Sequence, residues 1–288
     1  MNKLSRYLFV VLAFPLYGPA MAGTVFKSDT SHCRKLLDSH SYVEAKAVCT
    51  QAAERGNSAA QFNLSVIYSK GLGVDKNEVL SLKWLRASAE QRYPPAEYAL
   101  ASRYAAGSGI PKDTKEALRL LQHAANQGFV LAQMLLGKSY ESGYEYLGVD
   151  KDLHAAIHWY RQAALQCDAC QYELWRIYFF GRGVEKNYTE AARYLENAAD
   201  AGLPKAQMQL AFRYLKGEGV QKDDVRAYMW FYIAEKGGDS FAKKALPLLA
   251  KRISRAQVIE AKAMAKKIME RPINSAQLCA LYQQFCGR

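Results

Sequence analysis

The residues best equipped for chemistry in this 288-residue chain are six cysteines: Cys33, Cys49, Cys167, Cys170, Cys279 and Cys286. They fall as three local pairs, and an even count in an oxidising compartment favours disulfides. Cys167-Asp168-Ala169-Cys170 has no second nearby pair to complete four metal ligands, so zinc is a poor fit. The expected bridges are Cys33–Cys49, Cys167–Cys170 and Cys279–Cys286, with a redox-active pair as the rival reading in the middle. The last bridge needs a helix end between its cysteines, because seven helical residues span about 10 Å. His154 and His158 stand four apart and could share a metal, but without a third ligand motif they read as surface histidines. His-Glu-x-x-His, Gly-x-Ser-x-Gly and a phosphate-binding glycine loop do not occur. No catalytic residue, metal or cofactor is therefore expected.

The compartment is set by the first residues. Lys3 and Arg6 open the chain, Leu8 to Leu16 form a short apolar stretch, and Ala20-Met21-Ala22 ends it with small residues. This pattern predicts an export signal over 1–22, cleaved near Ala22. Gly23 follows rather than a cysteine, which argues against a lipid anchor. The expected location is periplasmic or secreted. Loss of Lys3 and Arg6 lowers the formal charge from +12 to +10. A basic surface attracts nucleic acid, anionic lipid or acidic protein, and export disfavours the first. No later stretch is long and apolar enough to span a bilayer.

The elements that would position these residues come from an internal repeat. Small pairs recur at Ala52-Ala53, Ser88-Ala89, Ala124-Ala125, Ala163-Ala164 and Ala198-Ala199, spaced by 36, 36, 39 and 35 residues. Before them stand Ala45, Ser81, Ala117, Ala156 and Ala191, and a large apolar slot at Val48, Trp84, Leu120, Trp159 and Tyr194. After them come Ala60-Gln61, Ala96-Glu97, Ala132-Gln133, Cys170-Gln171 and Ala206-Gln207. A leucine, a tyrosine and a closing glycine pair such as Gly71/Gly73 follow in each unit. Spacings of three and four place the large residues on one helical face, where Trp84 and Trp159 are expected to fill the seam inside their units. The alanines mark close helix approach, and Asn77, Asp113, Asp152, Asn187 and Asp223 are N-cap candidates. Each unit is a helix–turn–helix that must stack on its neighbours to bury its face.

The pattern Ala-x-x-Trp-x-x-x-Ala-Ala-x-x-Gly-x-x-x-Ala-Gln-x-x-Leu-x-x-x-Tyr-x-x-Gly-x-Gly-Val-x-x-Asp resembles the Sel1-like repeat, a relative of the tetratricopeptide repeat. The resemblance covers roughly Ser41 to Asp239 and implies an all-α, right-handed α-solenoid of about six repeats. The expected organisation is a signal at 1–22, an N-terminal cap at 23–40, repeats at 41–240 and C-terminal capping helices at 241–288. It implies a scaffold that binds a protein or peptide on the concave face lined by the first helices. Some cysteine-rich relatives have been labelled β-lactamases, which makes a penicillin-binding activity the enzyme alternative.

Residues flanking the large slot should face outward. They give Lys83, Arg119, His158 and Arg193 on one row and Arg86, Gln122, Arg161 and Glu196 on the next. In register, these would form a basic stripe suited to an acidic partner. The recurrent Lys76, Lys112, Lys151, Lys186 and Lys222 read as solubilising loop residues. An insertion between Gly143 and Gly148 carries Tyr144 and Tyr146 as a second candidate contact.

Overall fold

A computed structural model describes residues 31–143 and 145–271. The expected export signal, Tyr144 and the Cys279–Cys286 pair lie outside the described residues.

Helices form because the caps and the apolar spacing agree. In chain order they are α1 (31–38), α2 (Tyr42–Glu54), α3 (Ser58–Lys70), α4 (Glu78–Glu90), α5 (Pro94–Ala106), α6 (Thr114–Asn126) and α7 (Val130–Ser142). After a 3-10 turn at Glu145–Leu147 come α8 (Leu153–Ala163), α9 (Asp168–Phe180), α10 (Tyr188–Asp200), α11 (Pro204–Lys216), α12 (Asp224–Lys236), α13 (Ser240–Ala250) and α14 (Arg255–Met269). No strand occurs among the described residues, and the fold is an all-α repeat solenoid. The chain divides between Gln91 and Arg92 into two compact units, α1–α4 and α5–α14.

Two repeated devices fix the joints. The side chains of Asn77, Asp113, Asp152, Asn187 and Asp223 accept backbone N–H groups at the starts of α4, α6, α8, α10 and α12. Their own N–H groups donate to the carbonyls of Tyr68, Tyr104, Tyr140, Tyr178 and Tyr214 at 2.8–3.0 Å. Each glycine-rich loop is thus pinned at both ends. At the other joint, the Nε2 atoms of Gln61, Gln133 and Gln207 donate to the carbonyls of Ala53, Ala125 and Ala199 at 3.1, 2.9 and 3.2 Å. These carbonyls lie in the last turn of a helix, where the i+4 helical donor is lost, and each also accepts the N–H of a turn glycine, Gly56, Gly128 or Gly202, at 2.9–3.0 Å.

The most extensive helix pairings run across the glycine-rich loops, joining α3 to α4, α5 to α6, α7 to α8, α9 to α10 and α11 to α12. Ala45, Ser81, Ala117, Ala156, Ala191 and Ala227 are buried where helices approach closely. One expectation is corrected. Trp84 and Trp159 do not fill the deepest seam, because both are half-buried. The following residue does so: Leu85, Leu121, Tyr160, Leu195 and Phe231 are 2% exposed or less. One residue is a 100° rotation on a helix, and the helix turns the second side chain inward. The sixth unit ends differently, with α14 laid on α12 through buried Ala261 and Ala265.

Candidate functional site

The outward rows lie on α4 in the first unit and on α6, α8 and α10 in the second. Lys83, Arg86, Arg119, His158, Arg161 and Arg193 are exposed there, as their spacing implies. Gln122 and Glu196 are corrected: both are half-buried and lean onto the next helix. Gln122 Nε2 lies 3.5 Å from the Tyr140 hydroxyl, and Tyr214 Oη donates to Glu196 Oε1 at 2.9 Å. Arg161 donates to the Tyr178 hydroxyl and lies 5.7 Å from that ring's centre. The second row is therefore part of the joint between neighbouring helices as much as a surface.

The first row is also less cationic than its composition suggests. Arg119 makes a two-point pair with Glu116 at 2.8 and 2.7 Å, and Arg193 repeats it with Glu190 at 3.1 and 2.7 Å. Those hydrogen bonds hold both glutamates below the usual carboxylate range and both arginines above theirs. A glutamate three residues before each arginine was visible in the sequence and is what an outward column alone misses.

A half-open concavity lies within the second unit. Its volume is about 460 Å³, and it lies between α10, the loop 217–223 and the start of α12. Arg193, Lys222 and Arg226 line it together with Glu196, Tyr214 and Asp223. Arg226 Nη1 donates to the Tyr214 hydroxyl at 3.1 Å, and its guanidinium lies 5.6 Å from the ring centre. Burial raises the Tyr214 hydroxyl above its ordinary value, so it stays a neutral donor to Glu196. Polar groups of both signs converge here. The sequence named Arg193 as a candidate but not Tyr214 and Arg226, which lie on α11 and α12 and meet it only through helix packing.

The remaining candidates separate cleanly. His154 and His158 are exposed, and the described residues hold no group of three His, Cys, Asp or Glu able to bind a metal. Tyr146 turns inward and donates to the Ser102 carbonyl at 2.8 Å, so the insertion is packed beside α5 and α6. The loop lysines remain exposed, and the stems of Lys76 and Lys186 pass over Gly71 and Gly181. Cys33–Cys49 and Cys167–Cys170 are disulfides with Cα atoms 5.2 Å apart in each. Cys170 takes the buried alanine position, and Cys167 caps α9. Its backbone is extended, at φ −136° and ψ 98°, and its Sγ accepts the Cys170 N–H across the first helical turn. Among the described residues, no helix is long and apolar enough to cross a membrane.

Known proteins share this arrangement. The family model described as Sel1 repeat matches residues 58–93, 94–129, 130–166, 169–203 and 204–239. Each match through 204–239 opens on a second helix and runs across the glycine-rich loop, the phase in which packing is most extensive. A Sel1 repeat protein from Oxalobacter formigenes is 30% identical with a TM-score of 0.66, over 83% of this chain and 99% of that one. The protein c5321, a protective antigen of uropathogenic Escherichia coli strains displaying an SLR fold, is 32% identical with a TM-score of 0.64. That match covers 84% of this chain and 51% of the antigen's. Chitin synthase regulatory factor 3 of Schizosaccharomyces pombe is 33% identical over 232 residues, 78% of this chain. Chitin synthase regulator SKT5 of Saccharomyces cerevisiae is 35% identical over 115 residues, 39% of this chain. The chain spans 24% and 16% of the lengths of those two regulators.

Proposed function

The chain belongs to the Sel1 repeat family, and from that premise we propose that it is a non-enzymatic scaffold that binds a protein or peptide partner outside the cytoplasm. Sel1 repeats mediate protein–protein interaction, and the two chitin synthase relatives are named as regulators. The partner lies along the face of α6, α8, α10 and α12, and its acidic side chains meet Arg193, Lys222 and Arg226. The observation that carries this reading is the concavity between α10 and α12, with its convergent donors held by packed helices. Two disulfides support a periplasmic or secreted setting, because such bonds persist where thiols are oxidised.

The test is binding of a labelled Asp/Glu-rich peptide, followed by fluorescence anisotropy at low and moderate salt. Arg193→Glu with Lys222→Glu should weaken binding by about tenfold and flatten its salt dependence. Lys112→Glu with Lys151→Glu makes the same change of charge in other loops and should leave affinity unchanged. Equal weakening by both pairs would reduce the effect to net charge, and no weakening by either would remove the concavity from the function.

A further inference from the structure

The two disulfides of this chain are built for different purposes. Cys33 and Cys49 are both fully buried and join α1 to α2 across a separation of 16 residues. Asn63 Nδ2 from α3 also reaches Cys33 Sγ at 3.4 Å. That bond is an internal staple. Cys167 and Cys170 are three residues apart in one helical turn, so their bond fastens no distant segments. The turn they occupy is already closed without them: Gln166 N–H donates to the Ala163 carbonyl at 3.0 Å, and Gln171 Nε2 donates to the Ala164 carbonyl at 2.6 Å.

The second pair has instead the arrangement that thiol chemistry needs. Cys167 is the N-cap of the 13-residue α9, and its Sγ accepts the Cys170 backbone N–H at 3.0 Å. A thiolate released at that position keeps this hydrogen bond and faces the positive end of the helix. Both cysteines are buried, and Cys167, at 8% exposure against 0% for Cys170, is the nearer of the two to solvent. Met134 Sδ walls its inner side at 3.8 Å. Beside it, Leu165 is 91% exposed at the tip of the turn and Ala169 is also exposed, an apolar edge next to the reactive sulfur.

We propose that Cys167 and Cys170 form a thiol–disulfide exchange site that oxidises a protein dithiol, with Cys167 as the sulfur attacked. A thiolate of the dithiol attacks Cys167 Sγ and forms a mixed disulfide. The Cys167–Cys170 bond breaks, and Cys170 leaves with the electron pair and takes a proton. The second thiolate of the dithiol then attacks its own sulfur in the mixed disulfide, closing the partner's disulfide and releasing Cys167 as the stabilised thiolate. One disulfide and one dithiol have exchanged states, with no other oxidant. A low-affinity thiolate for protons is also the better leaving group, which is what the cap position supplies.

The full chain should be equilibrated with graded ratios of reduced and oxidised glutathione, alkylated, and each pair read by mass spectrometry. Cys167–Cys170 should open at a ratio at least about tenfold less reducing than Cys33–Cys49, with helix content unchanged. Cys170→Ser should accumulate a glutathione adduct on Cys167, and Cys167→Ser should give far less on Cys170. The wild type, which needs no folding of a variant, should convert a synthetic dithiol peptide to its cyclic disulfide stoichiometrically. Co-reduction of both pairs only as the helices melt would overturn the proposal, as would failure of the oxidised wild type to oxidise the peptide.

Discussion

The repeats at 94–129 and 130–166 share one backbone plan, yet they differ at three places, two of them with a local remedy. Where Gln133 caps the Ala125 carbonyl, the earlier repeat has Glu97, which cannot donate. Glu97 is buried all the same, and it accepts from His123 Nδ1 at 2.8 Å and Gln127 Nε2 at 2.9 Å. With Nδ1 as donor, His123 Nε2 is the acceptor for Arg92 Nη1 at 2.7 Å. At the helix seam, Ala101 and Leu121 are replaced by Gly137 and Tyr160. A Cβ on Gly137 would stand 2.7 Å from the Tyr160 ring, so the glycine makes room for the larger partner. The Tyr160 hydroxyl then donates to Glu141 Oε2 at 2.9 Å, and burial raises it above its ordinary value. On the outward row, the Glu116–Arg119 pair gives way to Ala155 and His158. The solenoid plan tolerates changed chemistry when the compensating group lies within one helix pair.

The largest effect should come from breaking the seam. Gly137→Ala drives a methyl into a ring that has nowhere to retreat, and should cost about 2–3 kcal/mol. Tyr160→Leu restores the residue type of the neighbouring repeats, so the double variant should recover much of that loss. Urea denaturation of the four proteins gives the coupling directly, and additive losses would mean that the two positions are independent.

Next is the buried carboxylate. Glu97→Ala strands the His123 and Gln127 donors and should cost about 1–3 kcal/mol, whereas Gln133→Ala leaves the Ala125 carbonyl its bond from the Gly128 N–H and should cost less. Equal losses in thermal melting would erase that contrast between the repeats.

A pH series separates the outward rows. The folded state holds Glu116 and Glu190 below the usual carboxylate range, so it releases their protons more readily than the unfolded chain. The stability they add is present above the ordinary carboxylate range and is lost as pH falls through the lowered folded values. Both are partly exposed, and the effect should be modest and weakened by salt. Glu116→Gln with Glu190→Gln should flatten the acid limb of the melting curve, while Ala155, at the same place in 130–166, gives that repeat no such contribution. An unchanged limb would show that other carboxylates carry it.

The smallest effect belongs to the turn. Arg92 adopts φ +60° where the corresponding turns use Gly56, Gly128 and Gly202 at φ +88°, +83° and +94°. Arg92→Gly relieves backbone strain but gives up the His123 contact and frees the unfolded chain, so a gain of about 0.5 kcal/mol is expected. A clear loss of stability would mean that the Arg92–His123 contact outweighs the strain.

The sequence by itself determined the repeat, its period, the cap residues, the alanines at close approach and the local pairing of the described cysteines. These are properties of residues within one or two helical turns, where spacing alone fixes which groups meet. Even the pairing of Arg119 and Arg193 was legible as glutamates three residues earlier. The tertiary structure alone decided that Leu85 and Tyr160 rather than Trp84 and Trp159 fill the seam. It also decided that Gln122 and Glu196 bond to the tyrosine of the next helix, and that Tyr146 folds inward. Each depends on the rotation of one helix against another, and that rotation is set by the summed packing of both surfaces. The same holds for the concavity around Arg193, Tyr214 and Arg226, whose members come from three helices brought together by packing.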